Sequence, residues 1–489
     1  MKSKTGYSKG SLQRVKKTTD YLFTILNICL WILFLSNFCI LLFNFDTTHG
    51  TNFGVIRINR FTILIWTMVS FFTAIVHTYS ARNLRGFTHR AYFIFLTLGF
   101  TLSVMLFVAS NHVLLMLLSW FAMGYFMARL IGSDKDWAEA NEASKFAQKY
   151  FLLSGLLFGI GVLLLAFKLG SFRVDGIIAK LETLPIYLLT MAAVLIITAA
   201  MIQSAIYPFH RWLLSAMTAP TPASALMHAG FVNGSGILLT LFSTLLITTG
   251  TLPLLFVIGG ITAIAAQFTK LLQTNVKHKL ACSTIAQMGF MIMQCGLGFF
   301  NAAIVHLILH GFYKAYLFLS SGENIEASVP IDPSPIRIKP LQAIVVIVFG
   351  LLGAYFFAIL TGKGTAMNSG LFLTVIVAIT VGQVTYNIVK QHSLSLWQKI
   401  LWPPILFFIG IACYAVMYNG VTKLMGDMPG IDVPLPLSIL QILMGIIFLM
   451  SFFIMKLGTY RNVPWIYVKL LNISQPYKKT ILMFKNQSL

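Results

Sequence analysis

The sequence predicts an all-α, polytopic integral membrane protein with about fourteen transmembrane helices. Three observations predict it. Apolar runs of roughly 17–25 residues, the length a helix needs to cross hydrocarbon, recur from one end of the chain to the other. Charged residues make up 10% of the chain, where a water-facing domain of this size carries about a quarter. Mean hydropathy is +0.83, and because the bilayer core offers no water, spans of this composition must satisfy their backbone hydrogen bonds internally, as helices.

Taken in order, the spans fall at about 21–43, 61–79, 92–109, 112–131, 150–168, 185–204, 223–247, 252–272, 280–298, 301–320, 341–360, 370–389, 402–418 and 435–456. Residues 1–20 are basic, with Lys2, Lys4, Lys9, Arg14, Lys16 and Lys17. The apolar run that follows is too long for a signal-peptide core and has no small-residue cleavage site after it, so it is expected to stay as an anchor. Breakers or charges mark the links SDKDWAEANEASK (133–145), VPIDPSPIRIKP (329–340) and PGIDVPLP (429–436).

With both termini placed in the cytoplasm, 27 of the 35 Lys and Arg residues fall on that side, seven on the other, and Lys314 alone lies away from the ends of a span. Such a bias is the positive-inside pattern. It accounts for the net charge of +22 without a nucleic-acid partner. Beyond residue 457 the chain mixes Lys with Trp, Tyr, Ile and Leu. That composition suits either an amphipathic helix on the cytoplasmic interface or a docking segment for a soluble partner.

The 13 acidic residues all fall in predicted loops or termini, so the membrane interior is expected to hold no carboxylate. Carboxylates are hard oxygen ligands and commonly line cation routes. Their absence favours a route for protons or anions over one for Na⁺. Cys29, Cys39, Cys282, Cys295 and Cys413 show no CxxC or CxxH spacing and read as small buried hydrophobes. The His and Cys residues form no zinc-ligand cluster.

What the spans do carry is titratable nitrogen. AAIVHLILHGFYKAYLFLS (302–320) places His306, His310 and Lys314 four residues apart. At about 100° per residue they occupy one stripe, about 80° wide and roughly 12 Å long. His228 lies near the start of another span. Ionisable groups taken out of water are expensive and mark functional paths by default. A file of them, with waters between, can hand protons along or hold an anion.

Residues 203–228, QSAIYPFHRWLLSAMTAPTPASALMH, read as a broken helix. Pro208 ends the preceding span. HRWLLSAM forms a short interfacial turn with His210, Arg211 and Trp212, and Pro220 and Pro222 open the next span, where Pro is tolerated in a first turn. Ala223, Ser224 and Ala225 permit close helix packing. Transporters build ion sites at interrupted helices, although a plain loop between spans fits the same spacing.

YPFHRWLLSAMTAPTPASALMHAG (207–230), VKHKLACSTIAQMGFM (276–291) and AAIVHLILHGFYKAYLFLSSG (302–322) resemble, in that order, the signature of the antiporter-like subunits of respiratory NADH:quinone oxidoreductase and multisubunit Na⁺/H⁺ antiporters. The resemblance covers roughly residues 60–325. MHAGFVNGSGILL (227–239) is most similar to the membrane subunit of Dab-type (Mps-type) inorganic-carbon uptake systems.

The resemblance implies an antiporter-like core over 21–325, a degenerate transmembrane part over 326–456 and a cytoplasmic tail over 457–489. It implies residence in a bacterial cytoplasmic membrane, and a cytoplasmic partner of the zinc β-carbonic-anhydrase type. Zinc is expected on that partner and no cofactor on this chain. The pair would accumulate CO₂ or bicarbonate, driven by protons or another cation. His228, His306, His310 and Lys314 match family positions and, with Gln203, make up the expected proton or ion path. Two others depart: the family's Trp–Glu pair is Trp120–Phe121 here, and Gln203 stands where the respiratory pumps carry Lys. Gln383 is the main polar candidate in the later spans. The alternatives are a proton-translocating subunit of a respiratory or hydrogenase-type redox complex, and a membrane anchor that moves no ions.

Overall fold

The computed structural model describes residues 9–43, 51–84, 89–321, 340–364, 366–377 and 396–481. In chain order its main helices are α1 (Lys9–Phe43), α2 (Arg60–Asn83), α3 (Arg90–Ala109), α4 (Val113–Ile131), α5 (Ala138–Leu169), α6 (Val174–Ala179), α7 (Ile186–Gln203), α8 (Arg211–Ser215), α9 (Thr221–Ala229), α10 (Gly234–Leu241), α11 (Ser243–Thr248), α12 (Leu252–Leu271), α13 (Val276–Gly296), α14 (Phe300–Leu319) and α15 (Pro340–Thr361). A helix over 369–377 follows, then Leu396–Leu424, Ile439–Leu457 and Pro464–Ile473. Among the described residues the only paired strands are Thr51–Asn52 and Arg57–Ile58.

Each predicted span meets helix, but ten helices among the described residues are long and apolar enough to cross a membrane. Val348–Thr361 and Ile439–Met455 are shorter apolar stretches. Helix α13 carries Lys277, His278 and Lys279 in its first turns, which dilutes its apolar character. The predicted span 370–389, Gln383 with it, lies outside the described residues beyond 377.

The predicted span 223–247 is not one helix. Helix α9 ends at Gly230, a 3₁₀ turn covers Phe231–Asn233, and α10 and α11 follow with a second break at Phe242. Gly230, Gly234 and Gly236 weaken helix there by about 1 kcal/mol each relative to Ala. The Asn233 side-chain amide donates to Ala229 O at 2.8 Å and to Leu307 O at 3.4 Å. The freed end of α9 is thus tied to α14. The Ser204 hydroxyl donates to Val232 O and also bonds the Ser235 hydroxyl, fastening the other side of the break to the end of α7.

This interrupted segment is the centre of the bundle: 89% of an 18-residue stretch of Thr221–Leu241 is buried, against 11% of the corresponding stretch of Phe23–Phe43. Helices α12 and α13 pair by backbone contact. A Cβ on Gly289 would fall 2.7 Å from Ala263 N, and one on Gly296 would fall 2.3 Å from Phe256 N. Small residues let spans approach this closely where lipid supplies no hydrophobic drive.

The cysteine expectation needs correction. Cys282 and Cys295 are buried, but Cys29, Cys39 and Cys413 are exposed. A face turned to hydrocarbon accepts a small apolar side chain without burying it, as it accepts the exposed Ile25, Ile28, Ile32 and Leu35 of α1.

Connections alternate between two ends of the bundle. At one end, isolated bridges join Ile56 to Ser110, His112 to Arg173, Phe299 to Asp432 and Asn368 to Pro436. At the other, the Lys277 ammonium donates to Ala219 O at 3.0 Å and the Arg90 guanidinium to Ala81 O at 3.1 Å. The second end carries the loops in which most of the Lys and Arg residues lie and is called the basic end below.

Candidate functional site

Helix α14 runs beside the break, and the titratable groups collect there. His306 and His310 stack in parallel along one face with ring centroids 6.1 Å apart. The His306 ring also lies 5.3 Å from that of Phe290 on α13. One turn further on, Lys314 is fully buried, and its ammonium donates to Leu280 O at 2.9 Å. Because Leu280 is in the opening turns of α13, the stripe runs from the middle of α14 towards the basic end.

His228 reaches the stripe from α9. It is fully buried and stacks on Phe318 of α14 with centroids 4.3 Å apart. His310 lies within electrostatic reach of Lys314, His306 and His228, and His228 within reach of Lys314. A Cβ on Gly311 would meet the Phe72 ring at 2.6 Å and Ala229 O at 3.2 Å. Glycine here is what lets α14 sit against the end of α9 closely enough to bring His228 in.

These four nitrogen groups have few protein partners. Both ring nitrogens of His228 and of His310, and Nε2 of His306, are buried without a hydrogen-bond partner among the described residues. Buried polar atoms in folded proteins are nearly always paired, with ordered water where protein does not serve. Imidazole nitrogens left without a protein partner are able to bond water or an ion. Among the described residues the ion pairs are Lys145–Glu142, Arg173–Asp175 and Lys363–Asp432, none of them involving the stripe.

Gln203 lies on the far side of the break. It is buried, and its Nε2, unpartnered among the described residues, would lie 3.9 Å from a Cβ on Gly234. It joins the interrupted segment but not the stripe on α14. At the other departure from the antiporter-like pattern, the Phe121 ring fills the space over Gly155, 2.4 Å from where a Cβ would be. Beside it, buried Trp120 donates to the Ser154 hydroxyl at 3.2 Å, which in turn donates to Ala199 O at 2.8 Å. An aromatic plug and a closed hydrogen-bond chain occupy the place where a carboxylate would sit.

Pro208, His210, Pro220 and Pro222 form the connection from α7 to α9 at the basic end rather than the stripe itself. Tyr207–Pro208 is cis, Pro220 caps α9, and Pro222 sits in its first turn. Burial pushes the His210 imidazole down to about 4, so it is neutral near pH 7. Its Nε2 lies 2.8 Å from Ile473 O and must carry the hydrogen, since a carbonyl only accepts. The Tyr477 amide donates to the Ser215 hydroxyl at 2.9 Å, and the Tyr477 ring stacks on Phe146 at 4.2 Å. The stretch after residue 457 is thereby fastened onto the broken-helix connection.

The family model described as "NADH:quinone oxidoreductase/Mrp antiporter, TM" matches residues 110–388. The chain belongs to this family. Among its antiporter-family relatives is the probable inorganic carbon transporter subunit DabB of Bacillus anthracis, 35% identical over 317 residues that make up 63% of this chain and 62% of that protein. Subunit DabB2 of Halothiobacillus neapolitanus is 33% identical over 71% of this chain and 63% of its own length. NADH-ubiquinone oxidoreductase chain 5 of Allomyces macrogynus is 36% identical over 54% of this chain and 42% of its own. The chain spans less than two thirds of the length of these relatives.

The fold is shared with the Mrp complex from Dietzia sp. DQ12-45-1b, at TM-score 0.63 and 21% identity, over 93% of this chain and 57% of that one. It is also shared with an archaeal membrane-bound sulfane sulfur reductase, at TM-score 0.57 and 18% identity over 94% of both chains. This is the antiporter-like membrane fold that the three sequence motifs imply.

The sequence did not single out several residues that shape this antiporter-family site. Asn233 holds the break against α14. Lys270 lies within electrostatic reach of both Lys314 and Lys279, extending the stripe into a basic surface. The Gly-rich run after His228 is the signal that could have placed the break, since clustered Gly and Asn punctuate helices.

Proposed function

We propose that this chain is the membrane subunit of an inorganic-carbon uptake complex and conducts protons that drive accumulation of CO₂ or bicarbonate. The observation that carries the proposal is the stripe of His306, His310 and Lys314, joined by His228 beside a broken helix, with His228, His310 and Lys314 buried and imidazole nitrogens left without a partner among the described residues. Water threaded between such groups lets a proton pass from one imidazole to the next, since each ring can accept on one nitrogen and release from the other. Lys314, held at the basic end, would pass the proton to the surface there. In this reading the basic end is cytoplasmic, as the charge bias predicts, and the membrane is the bacterial cytoplasmic membrane.

The relatives named as inorganic carbon transporter subunits support the choice of substrate. Carbon chemistry belongs on a separate cytoplasmic subunit of the zinc β-carbonic-anhydrase type. The similarity to NADH-ubiquinone oxidoreductase chain 5 favours a second reading, a proton-moving subunit of a redox complex. Phe121 and Gln203 weigh against it, because they remove the Glu and Lys expected of such a pump.

The test is growth in ordinary air of a strain lacking carbonic anhydrase, supplied with this chain and the partner encoded with it. Rescue is expected, together with co-purification of a zinc-containing soluble subunit. Replacing Lys314 and His310 together by Ala should abolish the rescue; undiminished growth would sink the proton-path assignment. Flavin or iron–sulfur subunits in the purified complex would instead establish the second reading.

A further inference from the structure

The stripe has a defined basic end, at Lys314, but its start at His306 lies in the middle of α14. Continuing from His306 towards the opposite end of the bundle leads to Asn301, in the first turn of α14 and fully buried. Its side-chain amide donates to the Asp432 carboxylate at 3.2 Å, the Thr422 hydroxyl at 2.8 Å and the Tyr418 hydroxyl at 3.1 Å. The other Asp432 oxygen accepts from the Lys363 ammonium at 2.7 Å.

Asp432 belongs to a loop strapped over the junction of α13 and α14. Ile431 O accepts from the amides of Phe300 and Asn301, and Val433 N donates to Gly298 O. Ser369 fixes the same strap, its hydroxyl donating to Leu297 O at 2.9 Å and accepting from Leu435 N at 3.0 Å. The carboxylate is therefore held at a fixed point over the mouth of α14 and partly open to the surface, its side chain 20% exposed.

From this cluster, polar groups continue inward between α13, α14 and Leu396–Leu424. Tyr418 is one turn from Tyr414 on the same helix face, and Tyr414 lies beside Gln294 of α13. Gln294 is buried and one turn from Phe290, whose ring lies against His306. The carboxylate, the two hydroxyls and the amide thus lead inward from the surface, and the last step, past the Phe290 ring to His306, is left for water to bridge. Hydroxyls can donate and accept at once and so relay a proton, whereas an apolar wall cannot.

We infer that Asp432, positioned by Lys363 and Asn301, is the outer-face proton acceptor that feeds the stripe through Tyr418, Tyr414 and His306. The inference rests on the proton-conducting reading above. A proton from the outer solution lands on the Asp432 carboxylate. It passes along the hydroxyls, with water between, to His306 Nε2, and the carboxylate is regenerated. Lys363 lowers the cost of seating a charge there and does not itself carry the proton. The C-terminal part of the chain thus supplies the carboxylate that the core lacks.

The test uses the whole complex in liposomes carrying a pH-sensitive dye inside, with an imposed pH gradient. Asp432→Asn keeps the size of the side chain and an oxygen for Asn301, and should cut proton flux at least tenfold while the complex still assembles and melts as the wild type does. Asp432→Glu should restore most of the flux, and Tyr418→Phe should lower it severalfold. Wild-type flux in Asp432→Asn would overturn the inference and leave the stripe standing. A wild-type complex that moves no protons would overturn both. Were Asp432→Asn to fail to assemble, unimpaired flux in Tyr418→Phe would still overturn it.

Discussion

The two ends of α14 handle charge in opposite ways. At its first turn, Asn301 stands in a closed network with Asp432, Lys363, Tyr418 and Thr422, where every charge has a counter-charge and every amide a partner. Towards its last turn, Lys314 has one carbonyl for company, and the imidazoles of His306, His310 and His228 leave nitrogens unserved among the described residues. A satisfied network rigidifies what it joins, while a half-satisfied one is costly unless something else occupies it. One end of the helix holds its charge in pairs; the other holds nitrogen groups with few protein partners.

That contrast can be broken most directly at Lys314. Lys314→Met keeps the length and apolar volume of the side chain but removes the ammonium, and is expected to reduce proton flux at least tenfold in the liposome assay. Full flux in that variant would show that the unserved end carries nothing. A smaller effect is expected at Phe121, where Phe121→Glu puts a carboxylate into an aromatic-lined span. Charged groups in such positions cost about 2.5–3.5 kcal/mol, so thermal melting in detergent should fall by several degrees with no gain in flux. A gain would mean that the missing switch can be rebuilt from one side alone.

Asn233→Ala removes the donors to Ala229 O and Leu307 O. Leaving buried carbonyls unpaired costs about 1–3 kcal/mol, and melting should register that loss. The smallest effect belongs to a surface pair on the satisfied side of the molecule. Hydrogen bonding from Arg173, with help from Asn111 and the Gly176 amide, holds the Asp175 carboxyl at about 2. A depressed carboxyl stabilises the fold above its unfolded value and loses that contribution as pH falls, here between about 4 and 2. Exposed pairs contribute about 0–1 kcal/mol. Asp175→Asn should therefore melt slightly below the wild type at pH 7 and converge with it near pH 2.

The membrane class, the placement of the helices and the stripe were all legible in the sequence, because each depends on local periodicity. Residues 306, 310 and 314 share a face by helical geometry alone. The break after His228 is hard to read from sequence because MHAGFVNGSGILL is apolar enough to pass as continuous span despite its glycines. The partnership of Asn301 with Asp432 could not be read locally. The two are 131 residues apart, and only the folded strap brings them together. Likewise, Cys29, Cys39 and Cys413 were expected inside because apolar character alone does not tell a core from a lipid-facing surface.

His210 and Ser215, on the connection that leads into α9, are bonded to the backbone of Ile473 and Tyr477. The helix leading up to those bonds, Pro464–Ile473, has no buried residue and turns Trp465 and Val468 outward. The chain has thus put an exposed handle on the piece of backbone that leads to His228. Under the proton-conducting reading, a soluble protein gripping that handle would pull on the path without entering the membrane.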